Sequence, residues 1–183
     1  MKHRIARTIF TAWAVLALAG CTGIPETIEP VTGFELERYL GDWYEIARLD
    51  HSFERGLERI TASYSMRDDG GVRVVNRGYH VADGRWNEAE GKAYFIGDPA
   101  VGRLKVSFFG PFYGAYNIFA LDQENYRWAM VAGPDYSYLW VLSRTPAMAP
   151  ELLQELLMQA AEAGFDTEAI IRVSHEPQPA QGS

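Results

Sequence analysis

The stretch GVRVVNRGYHVADGRWNEAEGKAYFIGDP, residues 71–99, contains two strands and the turns that end them. Val72, Val74 and Asn76 share one side of an extended chain, because successive side chains of a strand point to opposite faces. Ala82-Asp83-Gly84 closes the first run and Gly97-Asp98-Pro99 the second, with residue types that favour tight turns. The same unit recurs on both sides. Strands are expected at about 42–50, 58–67, 71–79, 85–96, 102–109, 113–121, 126–132 and 137–143. Asp68-Asp69-Gly70-Gly71, Gly110-Pro111, Asp122-Gln123-Glu124-Asn125 and Gly133-Pro134-Asp135 punctuate them. Consecutive strands with short connections make an antiparallel meander, and closure of eight removes every exposed edge. The expected fold is all-β, an eight-stranded antiparallel up-and-down barrel able to hold one small ligand.

Downstream, Pro150 suits a first helical position. Leu152, Leu153, Leu156, Leu157 and Ala160 form an apolar stripe, and Gly164 suits the end, so one helix should pack outside the barrel. Ile170–Val173 can add a short ninth strand. The tail 176–183 (EPQPAQGS) reads as disordered. There is no internal repeat and no second domain.

Upstream, Lys2, Arg4 and Arg7 precede an apolar run, IFTAWAVLALAG (9–20), too short for a mature transmembrane helix but suited to a secretory signal peptide over 1–20. Leu18-Ala19-Gly20-Cys21 resembles a bacterial lipobox, which implies cleavage before Cys21, diacylglyceryl transfer to its thiol and acylation of the new amine. Residues 21–33 would be the lipidated tether. Thr22 follows the cysteine where an inner-membrane lipoprotein would commonly carry Asp, which favours the outer membrane, facing the periplasm. Cys21 is the chain's one cysteine. It leaves no partner for a disulfide and no thiol for a nucleophile or a zinc site.

Loss of the leader from 183 residues leaves 163, enough for one domain with a real core. It also lowers the basic count from 17 to 14 against 24 acidic residues, a net charge near −10. Nucleic acid binding needs a basic face and is excluded on that ground.

Three further segments carry a family likeness. GDWYEIARLDH (41–51) resembles the first lipocalin motif, with Gly41, Trp43 and a following aromatic. GPDYSYLWVLSRTP (133–146) resembles the second and third, with Arg144 as the arginine of the third. EGKAYF (90–95) and KVSFFGPFYGAYN (105–117) are similar to the bacterial outer-membrane lipocalins, relatives of apolipoprotein D. The likeness covers about Phe34 to Val173, within a domain expected over 34–175. It implies a lipoprotein that stores or transports fatty acids or lysophospholipids for membrane maintenance under stress. It implies no cofactor and allows a homodimer. It also gives Gly41, Trp43 and Arg144 a structural role: the last strand lies beside the first, so the Arg144 guanidinium should cover the Trp43 indole and plug one mouth.

Counting up from that floor puts the open end at the loops near 50–57, 80–84, 109–113 and 133–137. Alternation then assigns the lumen. Leu104, Val106 and Phe108 should face inward, as should Ala62, Tyr64 and Met66, and Val72, Val74 and Asn76. On the eighth strand alternation leaves either Tyr138, Trp140 and Leu142 or Leu139, Val141 and Ser143; the family likeness implies the first set, and on the sixth strand it implies Tyr113, Asn117 and Phe119. The fourth and seventh strands remain unassigned. An apolar lumen with tyrosine hydroxyls and amides suits a long apolar ligand with one polar end.

Catalysis finds little support. His51, His80 and His175 are far apart in sequence, and there is no His-x-x-x-His, Cys-x-x-Cys or Gly-x-Ser-x-Gly. No metal site follows, and no titratable residue is expected deep in the lumen. His51, beside the first loop, reads as an exposed loop residue, with contact to a ligand head group as the alternative. Two alternatives to the carrier stay open: a lipocalin-fold enzyme acting on a bound lipid, and a purely structural envelope lipoprotein.

Overall fold

The computed structural model describes residues 22–176. The expected signal peptide, the expected lipidation site at Cys21 and most of the expected tail lie outside them. Eight strands run β1 (Gly41–Arg48), β2 (Leu57–Met66), β3 (Val72–His80), β4 (Arg85–Phe95), β5 (Arg103–Phe109), β6 (Phe112–Leu121), β7 (Trp128–Ala132) and β8 (Leu139–Ser143). Each pairs antiparallel with the next, and β8 and β2 both pair with β1, so the sheet closes. A ninth, β9 (Ile171–Arg172), joins β1 at Ala47 and Arg48, above the stretch where β1 pairs with β2. The wedge fits because β2 is irregular there: Arg59 takes a positive φ of 52°, and its N–H donates to Ser174 O rather than to a ladder partner.

Helix α1 (Leu36–Tyr39), which the alternation did not reveal, sits under the closed end. The floor joins α1, β1 and the end of β8. Trp43 is fully buried, its Nε1 donates to Tyr39 O at 2.8 Å, and its ring lies 4.7 Å from that of Tyr39. The Arg144 guanidinium stands 3.9 Å over the indole. It donates to the carbonyls of Asp42 (2.9 Å), Arg38 (2.7 Å) and Tyr126 (3.2 Å). Gly41 takes φ +92°, and a Cβ there would point at Arg144 Nη1.

Helix α2 (Pro150–Glu162) buries Leu153, Leu156 and Ala160 on the outer side of the barrel, against Ile46, Ala47, Met130, Leu139 and Val141. The barrel therefore has two apolar layers over this quarter, one inside the tube and one beneath the helix.

The described part of the segment expected as a tether is fastened to the barrel. Asn117 Nδ2 donates to Gly23 O, and Thr27 bonds to the Tyr136 hydroxyl. Ile28 is buried, Val31 N–H donates to Ile118 O, and Thr32 bridges Val101. It is a strap laid down the outer wall.

Candidate functional site

Above the floor the tube is hollow. A cavity of about 700 Å³ opens at the end formed by the β1–β2, β5–β6 and β7–β8 loops. Val72, Val74, Leu104, Val106, Phe108 and Ala62 line its walls. Tyr64, Asn76, Tyr138, Trp140 and Leu142 line it too. On β4, where no side could be chosen from sequence, Ala93, Ala89 and Asn87 stand opposite Val72, Asn76 and Gly78, which sets their inward parity. On β7, Ala129 and Val131 belong to the inner layer.

Strand β6 departs from the expected parity. Val106 pairs with Gly114 and Leu104 with Tyr116, so Gly114, Tyr116 and Ile118 hold the inner face. Asn117 is buried outside, donating to Gly23 O and Gly133 O under the strap. Phe119 stacks on Phe165 at 5.8 Å in the layer beneath α2. Tyr113 reaches the rim of the cavity, but its ring sits with Tyr94 and 5.0 Å from Lys105 Nζ on the outer wall. Alternation failed here because the outside of β6 is itself covered and apolar, so neither face is marked by polarity. Met66, the last residue of β2, is half exposed and does not line the cavity.

Tyr116 is the lining residue that the wrong parity concealed. Its hydroxyl meets those of Tyr39 (2.7 Å) and Tyr64 (2.8 Å) at the base of the cavity. Burial raises all three phenols above their ordinary value, which keeps them neutral donors and acceptors.

A second polar group near the mouth was also missed. Glu45, Arg48, His51 and Glu54 are all buried, and both carboxylates line the cavity. Arg48 Nη1 reaches Glu45 Oε1 at 3.4 Å, and Nη2 donates to Glu54 O at 2.9 Å. Trp140 Nε1 donates to Glu54 Oε2 at 3.2 Å, and His51 Nε2 lies 3.2 Å from the same oxygen. His51 is no exposed loop residue: its ring stacks on Phe53 at 4.2 Å and abuts Trp140. One signal was available in sequence, since Glu45 shares the parity of Trp43. The bulge between Glu45 and Ala47, which brings Arg48 to the same face, left none.

These groups titrate in opposite senses. Burial, then the nearby Glu54, pushes the Glu45 carboxyl well up, and burial raises Glu54. Burial, then Arg48, lowers His51 to about 4. The fold thus excludes a proton from His51 that the unfolded chain accepts below about 6.5, so this residue subtracts stability as pH falls from 6.5 towards 4. The two glutamates add stability at low pH and lose it as pH rises from 4.5 through their raised values. In His51→Gln the drop in unfolding free energy between pH 7 and pH 4.5 should be smaller by about 2 kcal/mol. Urea titrations at the two pH values measure it, and an unchanged drop would show that His51 does not control acid stability.

Comparison with known proteins decides the family. A profile described as "Lipocalin-like domain" matches residues 34–175. The chain belongs to the lipocalin family. It is 54% identical over 170 residues to the outer membrane lipoprotein Blc of Vibrio cholerae, covering 93% of this chain and 99% of that one. It is 52% identical over 172 residues to Blc of Escherichia coli K12, covering 93% and 97%. Among solved structures, insecticyanin from the tobacco hornworm Manduca sexta shares the fold, with TM-score 0.67 at 22% identity over 84% of this chain and 87% of that one. With relatives so similar over almost their whole length, this lipocalin is a lipid-binding outer membrane lipoprotein, not an enzyme. The acids near its mouth belong to a binding cavity.

Proposed function

We propose that this lipocalin is acylated at Cys21 and carries a fatty acid or lysophospholipid with its tail inside the barrel and its polar end at the mouth. The observation that carries the reading is the cavity itself: about 700 Å³, open at one end, with walls of Val74, Leu104, Val106 and Phe108. A site of that size falls in the range of small-molecule pockets. Each buried methylene contributes roughly 0.8 kcal/mol, so a C16 tail gains on the order of 12 kcal/mol before association costs of several kcal/mol. Tyr64, Asn76, Tyr138 and Trp140 are the proposed polar and aromatic contacts.

Native mass spectrometry of protein extracted from membranes tests the reading. An acyl lipid should leave with the barrel, and its added mass separates a fatty acid from a lysophospholipid. A barrel that is always empty would favour the structural lipoprotein. Cys21→Ser should abolish the acyl mass while leaving the cavity untouched. The same spectra report stoichiometry, with a mass of two chains supporting a homodimer.

A further inference from the structure

The three phenols at the base of the cavity do not balance their own hydrogens. Each hydroxyl has one hydrogen to donate and lone pairs with which to accept. Tyr116 meets Tyr39 at 2.7 Å and Tyr64 at 2.8 Å, and each contact uses one hydrogen. Three hydrogens serve two bonds, so one is left over whichever way the row of hydroxyls is oriented. Among the described residues no other group bonds to any of the three.

The spare donor has no outlet towards the floor. Tyr39 and Tyr64 are buried, and the Tyr39 ring packs against those of Phe34 at 5.3 Å and Trp43 at 4.7 Å. What is open to it is the cavity, which all three tyrosines line. Above them stand Val74, Ala93, Val106 and Gly114, a belt whose side chains neither donate nor accept. A donor left unpaired in such surroundings is costly, and the cost is recovered when an acceptor arrives. An acyl chain whose head group stays at the mouth brings a methyl group to this place, and a methyl group cannot accept.

We propose that Tyr39, Tyr64 and Tyr116 form a subsite for an oxygen at the far end of the acyl chain, so that this lipocalin takes chains hydroxylated there at no loss of affinity. The ligand oxygen accepts the spare hydrogen, and a tyrosine lone pair accepts the ligand's own. The proposal rests on the carrier reading with the polar end at the mouth, and the test separates the two.

The full chain, stripped of lipid carried through purification, is titrated with fatty acids of C10 to C18 and with their ω-hydroxy counterparts. A hydroxyl buried beside Val74 and Val106 without a partner should weaken binding about 10- to 100-fold. That penalty should fall to about threefold or less at the length that reaches the tyrosines, where the hydroxyl is paired. The triple variant Tyr39→Phe, Tyr64→Phe, Tyr116→Phe removes every donor at once, whereas any single change leaves one over. At the same length it should restore a ratio of about 10- to 100-fold between plain and hydroxylated acids, and the ratio cancels any general change in the barrel. The length profile is read on the unaltered protein and decides the matter even where the variant does not fold. A penalty equal at every length, or a minimum that survives the triple change, overturns the subsite. Plain acids report on the carrier: an affinity that does not rise with chain length overturns burial of the tail itself. Plain acids that bind more tightly as they lengthen, beside a flat hydroxyl penalty, overturn the subsite alone.

Discussion

Trp43→Ala should cost this barrel about 3–5 kcal/mol of unfolding free energy, the range for removing a fully buried large aromatic. The indole has no exposure, supports the Tyr39 ring and receives the Arg144 guanidinium on its face. Its loss leaves a void where β1, α1 and β8 meet, and it removes the surface on which Arg144 is placed. That arginine then keeps its three carbonyl bonds but loses its stacking partner, an interaction worth about 0.5–2 kcal/mol. For a domain of this size the change corresponds to a fall in Tm of roughly 10 °C. Trp86→Ala is the matched control. Trp86 is 44% exposed on the outer wall beside Arg59 and Arg77, and its removal should cost about 1 kcal/mol or less. Urea unfolding of both variants gives the comparison, and a Trp43→Ala protein within 1 kcal/mol of the parent would remove the floor from its structural role.

Residues whose two faces see different surroundings were legible. On β5, Leu104, Val106 and Phe108 alternate with Lys105 and Ser107, and the outer wall there is open enough to tolerate Lys105. The β2–β3 pairing likewise sets Ala62 and Tyr64 opposite Asn76 and Val74 in one inward row. The floor was legible for another reason: closure of an up-and-down barrel forces the end of β8 against the start of β1, whatever fills the lumen. Strand β6 failed where that contrast vanishes. Phe119 and Asn117 are enclosed by α2 and the strap, elements distant in sequence, and no local pattern reports a cover supplied from elsewhere. The charged group near the mouth failed through a bulge, which let Glu45 and Arg48, three residues apart, share a face that strict alternation denies them. Fold class survives such errors because it rests on the count and spacing of strands. Site assignment does not, because one irregular residue reverses everything beyond it.

The corrected register of β6 supplies the sharpest test of the cavity. Gly114 faces Val106 across the inner wall, its φ lies outside the left-handed region, and a Cβ built on it meets nothing within 4 Å. Gly114→Phe should therefore project a benzyl group into empty space without displacing a neighbour. An extended backbone favours an aromatic over glycine, so stability should hold or rise slightly. The ring would stand level with Val106, between the mouth and the Tyr39–Tyr64–Tyr116 base, and bar a tail from the deeper half of the tube. Excluding about four methylenes removes about 3 kcal/mol, which is a loss of roughly 200-fold in affinity for a long-chain lysophospholipid. Shorter tails that never reach this depth should lose much less, so the penalty should grow with chain length. Gly91→Ala has the opposite signature: its Cβ would lie 2.8 Å from Ser107 O and 2.9 Å from the Phe108 ring, so it should destabilise the wall. Binding isotherms for C10 to C18 lysophospholipids, taken with unfolding curves for both variants, separate a blocked cavity from a damaged barrel. If Gly114→Phe stays folded and binds every chain length as the parent does, the acyl tail does not occupy the tube.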